Sequence, residues 1–240
     1  MHNLVFWGLF PFALPQAMRV RRTALRMPPP ACEPFGVEGR GEPLKLIAIG
    51  DSVVVGVGVD YLRDAYVGQA VTALSLRLGR SVHWSVHGRS GARAEHLLAD
   101  YLPSLPAGPA DVILVSVGVN DITGLTPLSA WKASLVRLLD ALRAHSPAAV
   151  IGLAGIPPLG AFPLLPQPLR FASGQRGKAF DRAARRIAAK FPNVIHMPIE
   201  FVRSANNFCE DGFHPSRESY AVFGGEIAKR VVDVMQAAPS

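Results

Sequence analysis

Five residues spread along the chain have the types that nucleophilic acyl transfer requires. Ser52 offers a hydroxyl, His214 an imidazole that can take its proton, and Asp211 a carboxylate that can orient the imidazole. Asn120 offers an amide N–H and Gly91 an unobstructed backbone N–H, both suited to the oxyanion that forms when a carbonyl is attacked. These types predict a serine nucleophile with a base, an orienting acid and an oxyanion hole.

The sequence around His214 favours an imidazole that projects from a loop. Pro215 follows it, and a residue before proline is disfavoured in the α conformation, so an extended loop is expected before the last helix. Asp211 lies three residues earlier on the same turn, within reach of the second ring nitrogen. The two side chains are therefore expected to meet.

Strand-like apolar runs alternate with segments of helical periodicity from residue 44 onward. The runs cover 44–49, 81–87, 111–117, 149–155 and 193–198, and the helical segments cover 61–78, 92–102, 127–145, 174–190 and 216–235. This alternation predicts βαβ units, which require a parallel sheet with helices on both faces. The fold class expected is α/β, with five strands buried on both sides.

In an open parallel α/β sheet, ligands bind beyond the carboxyl ends of the strands. The residues that follow the first, second, third and fifth runs are Gly50-Asp51-Ser52, HGRSGA (87–92), Gly118-Val119-Asn120-Asp121 and EDGFHPS (210–216). Four loops thus deliver glycines and polar groups to one edge, where the five candidate residues are expected to meet.

These four blocks resemble the SGNH hydrolases, also called the GDSL esterase/lipase family. The matching blocks are GDS at 50–52, Gly91 in RSGA, GVND at 118–121 and DGFHP at 211–215, within a resemblance that spans roughly 44–235. The resemblance implies Ser52 as nucleophile, His214 as base and Asp211 as its orienting acid. It also implies an oxyanion hole formed by the Ser52 and Gly91 amides and the Asn120 side chain.

The same resemblance implies a flavodoxin-like three-layer α/β/α sandwich and a carboxylesterase or lipase-like activity. Esters are the implied substrates, with thioesters and lysophospholipids included, and no metal or organic cofactor takes part. The chain departs from the family pattern at Val53, where leucine is usual, and at Ala92-Arg93, where an acidic residue or threonine often follows the glycine. No G-x-S-x-G surrounds Ser52, which argues against the α/β-hydrolase fold.

A long proline-rich loop after the fourth strand should emerge at the same edge. Residues 156–174 are apolar, and their prolines limit the freedom of the loop. We expect Leu159, Phe162, Leu164, Leu165 and Phe171 to line an acyl or alcohol pocket. The alternative is a lid that only shields the core.

Other functions stay open at this point. A metal-dependent phosphoesterase could use Asp51, Asp121, Asp211 and His214 as hard ligands. A binding protein could retain the fold without catalysis. An acyltransferase would pass the acyl group from the same serine to an alcohol instead of water.

The first 43 residues differ from the domain predicted at 44–240. Residues 3–18 are apolar but contain Gly8, Pro11 and Pro15, and they fall short of the roughly 20 residues that a membrane-spanning helix needs. The basic cluster Arg19, Arg21, Arg22 and Arg26 follows the apolar stretch, the reverse of the order in a secretory signal. Two expectations remain: an arm packed on the protein, and a membrane-surface contact through residues 3–26. Residues 27–43, rich in proline and glycine, are interpreted as a linker.

Composition limits the remaining classes. A chain of 240 residues, 49% of them apolar, predicts a globular protein with one large core. Two cysteines are too few for a disulfide framework, and their spacing matches no zinc motif. The formal net charge of +7 comes from scattered arginines, with no basic run interleaved with aromatics, so no nucleic-acid partner is expected. We expect a cytoplasmic enzyme with a small-molecule substrate.

Overall fold

A mostly parallel sheet forms the centre of the protein. The computed structural model describes residues 2–199 and 205–237. Within them, the strands are Phe35–Glu38 (β1), Pro43–Gly50 (β2), Ser81–Gly88 (β3), Val112–Ser116 (β4), Val150–Ala154 (β5) and Val194–Met197 (β6). The sheet order is β1-β3-β2-β4-β5-β6, with β1 antiparallel and the other strands parallel. Strands β2 to β6 correspond to the five predicted runs, and their order is flavodoxin-like.

Helices cover both faces of the sheet. The helices are His2–Thr23 (α1), Tyr66–Leu78 (α2), Ala94–His96 (α3), Val119–Thr123 (α4), Leu128–His145 (α5), Leu169–Ala188 (α6) and Arg217–Ala237 (α7). The short α3 continues through a π turn and a 3₁₀ turn to Ser104. Helices α2 and α7 pack on one face, and α5 and α6 pack on the other. The predicted three-layer α/β/α architecture is confirmed.

The apolar runs of the central strands supply both layers of the core. Along β2, Leu46 and Ala48 face α2 and α7, whereas Ile47 and Ile49 face α5 and α6. Successive side chains of a strand point to opposite faces, so a strand covered on both sides needs apolar residues at every position. This requirement explains why the runs are continuous and do not alternate.

The prediction of five strands was one short. Strand β1 lies inside residues 27–43, which were interpreted as a linker, and it pairs antiparallel with β3 at the edge of the sheet. Its side chains at Phe35 and Val37 are exposed, so β1 has no buried face that would produce a recognisable apolar pattern. The division of the chain at residue 43 stays a prediction, and residues 1, 200–204 and 238–240 lie outside the described part.

Helix α1 packs lengthwise on α6. Phe6 and Ala13 of α1 are buried, and Gln16 exchanges hydrogen bonds with the backbone of Gln167 and Leu169 at the start of α6. The sequence did not predict this helix, because Pro11 and Pro15 lie inside it.

None of the described helices is both long enough and apolar enough to cross a membrane.

Candidate active site

The candidate site lies at the centre of the sheet, where the connections diverge. Strands β2 and β4 are neighbours, but the chain continues from β2 to β3 on one side and from β4 to β5 on the other. Such a divergence opens a crevice at the carboxyl ends of the two strands. Ser52 follows β2 and Asn120 follows β4, so both residues lie at the crevice.

A tight turn holds Ser52 directly after β2. The Asp51 carbonyl accepts from the N–H groups of Val54 and Val55 at 3.1 and 3.2 Å, and the Ser52 carbonyl accepts from Val57 at 2.9 Å. Gly50 enters this turn where no side chain fits, since a Cβ there would lie 2.5 Å from the Ser116 carbonyl oxygen. The turn keeps Ser52 buried at the crevice.

A second tight turn places Asp211 beside His214. Phe208 pairs with Pro215 in an antiparallel bridge, and the Cys209 N–H donates to the His214 carbonyl at 2.8 Å. His214 Nδ1 lies 2.5 Å from Asp211 Oδ2, while Asp211 Oδ1 accepts from the N–H groups of Phe213 and His214, each at 2.9 Å. One carboxylate therefore organises both the turn and the imidazole.

These contacts also set the charge of Asp211. Burial acts to raise the pKa of Asp211, but the hydrogen bonds from His214 and from two backbone N–H groups outweigh it and hold that pKa below its ordinary value. An ionised Asp211 accepts a hydrogen bond from His214 Nδ1–H, which fixes the tautomer in which Nε2 is available as a base.

Ser52, Asn120 and His214 line one cavity at this edge. Apolar side chains form much of its wall, chiefly Val119, Ile156, Phe162, Phe213 and Phe223. No hydrogen bond between Ser52 Oγ and His214 Nε2 occurs among the described residues, and such bonds are often long before substrate binds.

The predicted oxyanion donors are the backbone N–H groups of Ser52 and Gly91 and the side-chain amide of Asn120. Asn120 uses one amide hydrogen to bond the Ala92 carbonyl at 3.0 Å, which ties β4's loop to the loop carrying Gly91. Gly91 has φ +80°, and no other atom lies within 4 Å of the place a Cβ would occupy. Within the described ranges, the backbone N–H groups of Ser52 and Gly91 donate to no other protein group. Gly91 itself is outside the cavity lining.

Two further aspartates are buried near the site. Asp51 accepts from the Val53 N–H at 3.2 Å and the Ser116 hydroxyl at 3.1 Å, and Asp121 accepts from the Ala94 N–H at 3.1 Å. Burial raises the pKa of each carboxyl to about 6. Each carboxyl thus has its own protein donors.

Among the described residues, no three His, Cys, Asp or Glu side chains cluster as metal ligands would. The ligand set considered for a metal-dependent phosphoesterase, Asp51 and Asp121 with Asp211 and His214, therefore does not come together.

The proline-rich loop after β5 contributes less to the cavity than its sequence predicts. Phe162 is in the lining, whereas Leu159 and Leu165 are buried in the core beneath α5 and α6. Leu164 is half-buried, and its N–H donates to the Gly212 carbonyl at 3.2 Å; Phe171 is half exposed on α6. The loop therefore also shields the core and braces the Asp211 turn.

Several wall residues were missed by the sequence analysis. Val119 and Phe213 adjoin Asn120 and His214, and Ile156 follows the end of β5. Val119 and Phe213 could have been predicted as wall residues, because each is next to a motif residue in the sequence. Phe223 lies on α7 and reaches the cavity only through packing.

Comparison with known proteins shows the family of this chain. Residues 48–222 match the GDSL-like lipase/acylhydrolase family. A curated GDSL-like esterase of Mycobacterium tuberculosis is 25% identical over 185 residues, which is 74% of this chain and 58% of that protein, so the chain spans little more than half of its length.

Solved structures share the fold. A family 3 carbohydrate esterase of Clostridium thermocellum superposes with a TM-score of 0.62 at 18% identity, covering 82% of this chain and 98% of that one. A lipase from a goat rumen metagenome gives the same TM-score and identity, covering 78% and 97%.

Proposed function

Because the chain belongs to the GDSL-like lipase/acylhydrolase family, we propose that it is a serine ester hydrolase that works through an acyl-enzyme. The observation that supports this most is the contact of His214 with Asp211 at a cavity that Ser52 and Asn120 also line.

The first half of the reaction forms the acyl-enzyme. Ser52 Oγ attacks the carbonyl carbon of the ester, and His214 Nε2 takes the hydroxyl proton. Asp211 stabilises the imidazolium, while the N–H groups of Ser52, Gly91 and Asn120 donate to the oxyanion. The carbon–oxygen bond to the alcohol then breaks, and His214 returns the proton to the leaving oxygen.

The second half releases the acid. Water attacks the acyl carbon while His214 takes a proton from the water. The bond between Ser52 Oγ and the acyl carbon then breaks, and His214 returns the proton to Ser52 Oγ. A thioester would react by the same steps with a thiol as leaving group. An alcohol that replaces water would make the enzyme an acyltransferase, which is the variant closest to the proposal.

The apolar wall suits the acyl part of a small-molecule ester. Val119, Ile156 and Phe162 offer no hydrogen-bonding side chain, so an acyl chain would be bound there by burial of its apolar surface. Phe162 is held by edge-to-face contacts with Phe208 and Phe213, at centroid distances of 5.0 and 5.2 Å. We propose that Phe162 limits the acyl length.

A cytoplasmic location stays a prediction.

A panel of nitrophenyl esters of increasing acyl length tests this function. We expect hydrolysis that fluorophosphonate pretreatment abolishes, and a Phe162→Ala variant whose optimum moves toward longer chains.

Asn120→Ala should lower the rate about 100- to 1000-fold by removing one oxyanion donor. Hydrolysis of nitrophenyl phosphate that chelation abolishes, without hydrolysis of the acyl esters, would favour the metal-dependent phosphoesterase instead.

A further inference from the structure

Helix α1 presents an apolar face to solvent. Phe6 and Ala13 point into the protein, whereas Trp7, Phe12, Leu14 and Met18 are 43%, 73%, 41% and 48% exposed. A helix on the surface of a globular domain ordinarily directs charged and polar side chains outward. Here the outward face from Trp7 to Met18, which we call the apolar face of α1, has no charged residue.

A cluster of arginines adjoins the apolar face. Arg19, Arg21, Arg22 and Arg26 are all exposed, and no acidic residue occurs in the sequence before Glu33. Within the described part of the chain, none of these four arginines forms an ion pair. The surface therefore combines large apolar side chains with uncompensated positive charge.

Contacts with α6 fix the direction of this surface. The buried Arg176 guanidinium lies 4.6 Å from the ring centre of Phe6 and 5.2 Å from that of Trp7. Gln16 bonds to the backbone of Gln167 and Leu169 ten residues further along α1. Helix α1 thus runs antiparallel to α6 and cannot turn its apolar face inward without breaking these contacts.

The same contacts place the arginines at the catalytic edge. The end of α1 lies beside the start of α6, which follows the loop from the carboxyl end of β5. The chain then runs along that edge, since Pro30 lies close to Gly56 in the loop that carries Ser52. The arginines and the candidate cavity therefore lie toward the same end of the sheet.

We propose that the apolar face of α1 and the adjoining arginines form a docking site for a bilayer surface with anionic headgroups. The aromatic and aliphatic side chains enter the boundary between headgroups and acyl chains, and the arginines bind lipid phosphates. A second copy of the chain fits this surface less well, because in a two-fold contact of this face with itself α1 offers no acidic residue to pair with the arginines. The site rests on α1 and extends the proposed function, since docking directs the cavity edge toward lipid.

Co-sedimentation with vesicles tests the proposal on the full-length protein. We expect binding to vesicles of phosphatidylcholine with phosphatidylglycerol, and much weaker binding to phosphatidylcholine alone. The triple variant Arg19→Gln, Arg21→Gln, Arg22→Gln should lower the partition coefficient about 10- to 100-fold. A control triple that removes the same charge elsewhere, Arg77→Gln, Lys132→Gln, Arg137→Gln, should bind like the wild type.

A second pair of variants tests the apolar contribution. Phe12→Ser with Met18→Ser should lower binding at least about tenfold by removing apolar surface. Leu76→Ser with Val222→Ser, at sites on α2 and α7 that are at least as exposed, should not. Failure of the wild type to bind, or equal loss in the control variants, would overturn the proposal. So would a concentration-dependent dimer that Phe12→Ser with Met18→Ser abolishes, because the face would then belong to a second copy.

Hydrolysis of a soluble nitrophenyl ester, measured in parallel, separates the two proposals. None of these variants touches the cavity, so each is expected to retain the wild-type rate. Vesicle binding without ester hydrolysis would count against the proposed function and leave the lipid site standing.

Discussion

At the scale of single residues, the Asp211 carboxylate has two separable tasks. Its Oδ1 supports the turn through two backbone N–H groups, and its Oδ2 accepts from His214. An asparagine at position 211 keeps one oxygen that can accept from the backbone of the turn. Its NH₂ group, however, cannot accept the hydrogen bond from His214 Nδ1–H. We expect Asp211→Asn to fold normally and to lower kcat/KM by about 10³- to 10⁴-fold.

Asp181 provides the matched control for that substitution. Asp181 also pairs with a histidine, its Oδ1 lying 2.9 Å from His196 Nε2, and it is not itself a lining residue. The same oxygen accepts from the N–H of the lining residue Ile156 at 3.0 Å, and Asn keeps an oxygen for that bond. Asp181→Asn should change kcat/KM by less than about tenfold. Equal losses in the two variants would show that the Asp211 effect is structural.

Asp51 makes the stability of the protein depend on pH. Its pKa rises from 3.8 to about 6 on folding because the carboxyl is buried. The folded state therefore holds this proton more tightly, and Asp51 costs stability as pH rises from about 4 to about 6. Asp51→Asn removes that cost.

Urea unfolding of both proteins at several pH values measures the difference. The free energy of unfolding of Asp51→Asn minus that of the wild type should rise by up to about 3 kcal/mol between pH 4 and pH 7. A difference that stays constant over this range would show that Asp51 is not buried in its protonated form.

The candidate catalytic residues were easier to place than the residues around them. Ser52, Asn120 and His214 follow strands in short motifs, so the carboxyl-edge rule alone placed them at one edge, and the structure brings them to one cavity. The wall could not be predicted in the same way. Phe223 reaches the cavity from α7 and Leu159 turns into the core, and both outcomes depend on side-chain packing between distant segments.

At the scale of elements, the turn after β2 depends on the absence of a side chain at Gly50. A Cβ there would lie 2.5 Å from the Ser116 carbonyl and 2.6 Å from Val54 Cγ2. We expect Gly50→Ala to lower the free energy of unfolding by about 1–3 kcal/mol, since backbone and core must shift. Gly225→Ala, where α7 leaves open space, should instead raise it by about 0.5–1 kcal/mol. Thermal unfolding of both variants tests this contrast, and a neutral Gly50→Ala would contradict it.

Elements with a regular apolar pattern were predictable, and elements without one were not. Strands β2 to β6 have apolar runs because helices cover them on both sides. Strand β1 lies at the edge with exposed side chains, and α1 contains two prolines and an apolar outward face, so neither shows the usual periodicity. Helix α6 begins at Leu169, five residues before its predicted start, because its first turn belongs to the proline-rich segment.

At the scale of the whole molecule, the account requires α1 to be an integral part of the folded protein. Phe6 is buried against Arg176, whereas Phe12 on the same helix is mostly exposed. Phe6→Ala should lower the free energy of unfolding by about 3 kcal/mol, and Phe12→Ala should change it by less than about 0.5 kcal/mol. Equal effects, measured by urea unfolding, would show that α1 does not dock on α6.

Strand order was the part of the architecture that sequence alone could not supply. Right-handed crossovers determine on which face each helix lies, but they leave several orders for five strands. The flavodoxin-like order came from the resemblance of four short blocks to a family, and it is this order that makes β2 and β4 neighbours.

The central claim is that Ser52 is a nucleophile activated by His214. Intact-mass measurement after treatment with a fluorophosphonate tests it most directly, because the reagent reacts with activated serines and its adduct can be located by peptide mapping. We predict one adduct on Ser52 in the wild type, none in Ser52→Ala, and labelling slowed at least about 100-fold in His214→Ala. An adduct that persists in Ser52→Ala, or labelling of His214→Ala at the wild-type rate, would contradict the account.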